Sequence, residues 1–177
     1  MGLHFENCLT GLHLRLFGRI VQSFARHEAM MEEVMAKVSG ADPTSVKLMT
    51  SHLPFGWKRA TMLNLLRHRG LPIDRVDEVQ WLFEPAHTNL ALRDDIAHST
   101  WVPCEPEGLV RPTWLSSEPK VAAKPQHDID GGGKSYIEDY DERFAYTLES
   151  LTEIADQMEE SETKLHDYLA SADLSAS

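Results

Sequence analysis

Cysteine is nearly missing from this chain. Cys8 and Cys104 are its two thiols in 177 residues. They lie far apart and lack metal-ligand spacing, which argues against a disulfide framework or a cysteine zinc site. It predicts free thiols in a reducing compartment, the cytoplasm. Long apolar runs are missing too. None approaches the ~20 residues that cross a bilayer, so no membrane association is expected. Met1 to Asn7 carries His4 and Glu6 but no basic stretch, which argues against a secretory signal. No serine or cysteine sits in a nucleophile motif, and no internal repeat is present.

Basic residues are scarce: 17 Lys and Arg stand against 28 Asp and Glu, a formal net charge of −11. That balance alone disfavours nucleic acid as a partner. Its distribution is uneven, however. From Ser135 to Ser177 twelve acids face only Arg143 and Lys164, whereas the first 134 residues hold 16 acids and 15 bases. Lys58, Arg59, Arg67, Arg69 and Arg75 form a local basic cluster. It reads as a solvated helix face or, less simply, as a phosphate patch.

What the chain does have is helical periodicity. The composition, 42% hydrophobic and 25% charged, suits one folded domain over residues 1–177. Leu9 to Val38 repeats Leu12, Leu16, Ile20, Phe24, Met31, Val34, Met35 and Val38 at threes and fours, with Leu14 and Val21 widening the stripe. Gly11 and Gly18 weaken this helix unless they allow a close helix contact. Ser39-Gly40 ends it. Asp42-Pro43 is an N-cap followed by a proline at the first helical position, opening a short helix to about His52. Trp57 to His68 is a third helix, stopped by Gly70 and Pro72. A fourth runs from an Asp74 cap to about His98, kinked at Pro85, with Ile96-Ala97 on its buried side.

Residues 101–134 differ in kind and hold five of the nine prolines. Glu105-Pro106-Glu107-Gly108 reads as a turn, so that Trp101-Val102 and Leu109-Val110-Arg111 can pair as a hairpin. A loop follows. Ser135 and Glu138 form a capping box that launches a last long helix, with Tyr140, Phe144, Leu148, Leu151, Met158 and Leu165 on one side and acids on the other. Residues 170–177 are expected to fray. The sum is an all-α fold: an antiparallel bundle of four to five helices, with a hairpin or loop inserted before the last.

The stretch with chemistry runs from Leu90 to Trp101. It sets Arg93 and His98 five positions apart, follows the arginine with Asp94, and ends a helix. This stretch resembles the HEPN superfamily, small all-helical proteins that often dimerise. The resemblance extends loosely over the bundle; its specific part is Arg93, Asp94 and His98. It implies metal-independent RNA cleavage in which His98 transfers protons, Arg93 stabilises phosphate charge and Asp94 is their polar companion. It also implies a homodimer, RNA as a partner, and an antitoxin or other protein partner.

The residue types fit that chemistry. Imidazole has an ordinary pKa near ~6.5, and guanidinium is a permanently charged, forked phosphate donor. Positions five apart on a helix are separated by ~140°, whereas Asp94 and His98 share a face. Asp94 is therefore placed to orient His98, while Arg93 must reach around, or the last turn must loosen, or, the arrangement favoured here, the site is shared across a symmetric dimer. The alternative is a non-catalytic interaction or nucleotide-binding module, in which Arg93 makes an intramolecular salt bridge and His98 caps the helix end.

Other patterns are weaker. Asp130 to Ser135 is glycine-rich but lacks the first glycine of a phosphate loop, which would fall at Asp128. Glu84 and His87 have Glu-x-x-His spacing without the second copy a carboxylate-bridged metal site needs. No metal or other cofactor is expected. His27 and Glu28 are expected at the surface, and Trp57, Trp81, Trp101 and Trp114 as core or interface anchors.

Overall fold

Thr10 starts the longest helix, α1 (Gly11–Ser39). Its hydroxyl accepts from the His13 backbone N–H at 3.4 Å, and its own N–H donates to His13 Nδ1 at 3.1 Å. This is a capping box with imidazole in place of the usual carboxylate. Gly40 closes the helix at φ 70°, where a side chain would be strained, and its N–H bonds to Ala36 O at 2.9 Å. The computed structural model from which these contacts are taken describes residues 9–104, 109–113 and 145–171.

The next caps follow the sequence. The Asp42 carboxylate accepts from the Ser45 N–H at 2.9 Å and opens α2 (Pro43–Thr50). α3 (Phe55–His68) is followed by Gly70 at φ 77°. α4 (Ile73–Leu82) starts two residues earlier than expected: Pro72 occupies the cap position and Asp74 lies in the first turn. The expected kinked helix up to His98 is instead broken twice, giving α5 (Glu84–Thr88) and α6 (Leu90–His98). Pro85 has no N–H to continue a helix but suits the start of a new one. Fully buried Phe83 anchors the first break, and the Asn89 amide donates to Pro85 O at 2.8 Å across the second.

β1 (Thr100–Cys104) and β2 (Leu109–Thr113) form the expected hairpin, with Thr100 opposite Thr113 and Cys104 opposite Leu109. Trp101 fixes it to the bundle, 4.6 Å from Phe17 and 5.9 Å from Tyr146 between ring centroids. Val110 and Tyr146 exchange both backbone hydrogen bonds, at 3.0 and 2.8 Å. The last helix is therefore not continuous from Ser135. Residues 145–147 are non-helical, and α7 (Leu148–Ser171) begins with its own box. Ser150 N–H donates to Thr147 Oγ1 at 2.9 Å, and Thr147 N–H to Ser150 Oγ at 3.0 Å. The Ser135–Glu138 box and Trp114 lie outside the described residues.

The seven helices among the described residues make the expected all-α bundle, but the antiparallel order expected of it is corrected at its longest helices. Along α1, Arg19, His27 and Lys37 meet Glu159, Ser161 and Leu169 in rising order, so α1 and α7 run parallel. α3 also runs with α1, because Phe24 meets Phe55 and Ser39 meets Arg69. α4 opposes α7: Trp81 meets Lys164, and Arg75 influences Tyr168. Tyr146, just before α7, is bridged to the hairpin, whose Trp101 packs on Phe17 near the start of α1, so both helices set out from the same end. The far side of α1 stays open. Leu14 and Val21 are exposed, and a methyl group added at Gly11 or Gly18 would meet nothing within 4 Å, so neither glycine serves a close helix contact.

The α1–α7 seam contains the main correction to the core. His27, expected at the surface, is fully buried on the same side of α1 as Phe24 and Met31. Its Nδ1 lies 2.8 Å from Ser23 O and must carry the proton there; its Nε2 lies 2.9 Å from Ser161 Oγ. The Ser161 hydroxyl also reaches Met158 O at 2.8 Å, leaving one hydroxyl proton between two acceptors when the ring is neutral. Burial holds the His27 imidazole below its usual value, opposed by the Ser23 hydrogen bond and by Glu162; burial lowers His13 as well. Above the ordinary histidine value both folded and unfolded rings are neutral. As pH falls through that value, ~6.5, the unfolded chain takes up protons first, and stability drops until the folded rings titrate. Urea unfolding is expected to show a midpoint that declines from about pH 7 to about pH 5, with a smaller slope in His27→Gln.

Candidate functional site

Leu92 and Asp95 turn inward on α6, at 2% and 8% exposure. Ile96 is half-buried and packs against the core as expected, whereas Ala97 is exposed; the inward side of α6 is completed by Leu92 and the Asp95 carboxylate. Asp95 adds to the upward shift of the Tyr146 hydroxyl, behind the larger effect of burial, and so faces the hairpin end of the bundle. The spacing of three from Leu92 was the available signal for an inward Asp95.

Outward placement of the other residues follows. His98 is the last residue of α6 and is exposed, and the Ser99 N–H closes the turn on Asp95 O at 2.9 Å. Arg93 is half-exposed, and its Nη1 donates to Asp94 Oδ1 at 2.8 Å. Asp94 is thus engaged by Arg93 and not, as expected, by His98. The long arginine side chain can fold onto its sequence neighbour, a contact that helical spacing arguments overlook. Both partners are more than a third exposed, at 38% and 53%, so the pair is screened and contributes little. The helix brings Arg93 and His98 onto one surface element but not into contact within one chain.

The basic cluster resolves differently from either sequence reading. Lys58 is 5% exposed, with Nζ 3.0 Å from Glu32 and 3.8 Å from Glu28 on α1. Thr50 donates to the same Glu32 carboxylate at 3.2 Å. Arg59 pairs with Glu84, Arg75 with Glu78, and Arg69 donates to Ser39 O at 2.9 Å. Lys58, Arg59 and Arg69 therefore tie helices together, whereas Arg75 pairs within α4 and Arg67 is exposed, so the cluster is only in part a solvated face. The acids of α7 do similar work. Arg19 binds Asp156 at 2.6 Å and Glu159 at 2.7 Å, and Arg26 binds Glu162 at 2.9 Å. The hydrogen bond from Arg19 holds the Glu159 carboxyl below its usual range.

The remaining candidates are separated. Glu84 is bonded to Arg59 and His87 is exposed. Among the described residues no three His, Cys, Asp or Glu side chains gather closely enough to hold a metal ion, and no helix is long and apolar enough to cross a membrane. Trp101 is buried, whereas Trp57 and Trp81 are 68% and 67% exposed and anchor no core.

Removing one member of a buried ion pair leaves the other uncompensated. Lys58→Ala is expected to lower unfolding free energy by about 3 kcal/mol. Adding Glu32→Ala should recover part of that loss in a double-mutant cycle read by urea denaturation. No family model matches the chain, and neither a curated protein nor a solved structure matches it.

Proposed function

We propose that the chain is an HEPN-like, metal-independent endoribonuclease that works as a homodimer. The observation that carries this reading is the exposed His98 ring at the end of α6, with half-exposed Arg93 on the same short helix. His98 takes the proton of an RNA 2′-hydroxyl. The 2′-oxygen attacks the adjacent phosphorus, the bond to the 5′-oxygen breaks, and that oxygen leaves with a proton. The products are a cyclic phosphate and a free 5′-hydroxyl. Arg93 steadies the non-bridging oxygens as charge builds on them. Its present partner, Asp94, is a weak surface competitor that a phosphate can displace.

The ~140° between the two positions is the reason for a second copy. Two α6 helices meeting about a twofold axis bring Arg93 of one chain towards His98 of the other. The specific observation favouring the alternative, a non-catalytic interaction module, is the Arg93–Asp94 ion pair itself.

The decisive measurement is cleavage of an end-labelled RNA in the presence of a chelator. Cleavage should persist with chelator and fall about 100-fold or more in His98→Ala, the usual scale for losing an acid–base group. Arg93→Ala should also lose activity, while Asp94→Ala retains it. Activity unchanged in His98→Ala, or abolished by chelator, would leave only the module.

A further inference from the structure

Trp81 stands at the end of α4, 67% exposed, over a cleft of about 340 Å³ between α4, α5 and α7. Leu82 and Pro85 form its apolar wall, and buried Ser161 lies among its lining residues. Its charged lining is two carboxylates, Glu84 and Glu160, against one ammonium, Lys164. That ammonium already shows what the cleft accommodates. Lys164 Nζ sits 5.9 Å from the Trp81 ring centroid and 2.7 Å from Glu160. An aromatic face beside a carboxylate is the arrangement that attracts an organic cation. Lys164 is half-exposed, so it can swing into solvent and release both. On the opposite side, Arg59 Nη2 holds Glu84 through Oε2, which leaves Oε1 to another donor.

We propose that this cleft is a docking site for an arginine side chain of a basic partner protein. The guanidinium would lie flat on Trp81, displace Lys164 and donate to Glu160 and Glu84. Charge complementarity selects this occupant: the cleft has more acids than bases, and the chain carries a net charge of −11. A nucleotide phosphate would meet two carboxylates there. Arginine fits better than lysine because its plane stacks on indole while its fork serves carboxylate oxygens. The site is distinct from Arg93 and His98, neither of which lines the cleft, and it stands whether or not the chain cleaves RNA.

The test is calorimetric titration of the full chain with a blocked Gly-Arg-Gly peptide, its citrulline counterpart and adenosine monophosphate. The arginine peptide should bind, and salt should weaken it; citrulline, with the same shape but no charge, should bind at least about tenfold more weakly. Trp81→Ala should weaken the arginine peptide about five- to thirtyfold. Lys164→Met should strengthen it severalfold, because the internal competitor is gone. Circular dichroism checks that both surface variants remain folded. Equal binding of the citrulline peptide, weaker binding in Lys164→Met, no binding of the arginine peptide, or Trp81-dependent binding of the nucleotide instead would each overturn the proposal.

Discussion

Two parallel helices with opposite charge patterns have to be held in one register, and the seam between α1 and α7 does this at three levels. At its centre His27 reaches across to Ser161, so that a polar ring is satisfied where water cannot enter. Apolar residues surround that contact, including Ile20, Met31, Leu151 and Met158, all fully buried. At the rim Arg19 and Arg26 grip the carboxylates of Asp156, Glu159 and Glu162. A shift of α7 by one residue would break all three sets together. A buried polar contact of this kind penalises wrong registers more than it favours the right one. Apolar packing supplies most of the attraction.

The same seam explains why a strongly acidic helix is compatible with a folded chain. Asp156, Glu159 and Glu162 are compensated by α1, and Glu160 by Lys164 on its own helix. Lys58 and Arg59, two of the basic residues that sequence alone offers to a phosphate, are engaged in the complementary way, holding α3 to α1 and α5. Arg93 differs from these. Its partner is the adjacent residue, the pair lies at the surface, and no second helix depends on it. Within this chain it is a cation whose present contact can be given up without disturbing the packing.

Local backbone chemistry was the legible part. Gly40, Asp42-Pro43 and Gly70 act where their residue types say they should, because a cap is decided within a few positions. The hairpin was legible for the same reason, from a proline and a glycine in the sequence between two short extended runs; the turn residues themselves lie outside the described residues. Contacts between distant segments were not. His27 reads as a surface residue until Ser161, 134 positions away, is brought beside it. Lys58 reads as a solvated cation until Glu32 of α1 reaches it. The broken run from α4 to α6 was hidden because its apolar spacing suits one long helix; buried Phe83 and the Asn89–Pro85 contact divide it. At the candidate site the exposure of His98 followed from its place at a helix end. The engagement of Asp94 by Arg93 did not, since neighbours in sequence are not neighbours on a helix face.

The bridge between Val110 and Tyr146 has an architectural consequence. The chain leaves the described fold at Thr113 and is back by Tyr146, whose backbone is tied to the strand it left. Both ends of that excursion are anchored independently of its contents, one by the Trp101 hairpin and the other by the Thr147 cap. The strand and the entry to α7 are thereby held side by side by the backbone itself, so their pairing does not depend on the covalent connection between them.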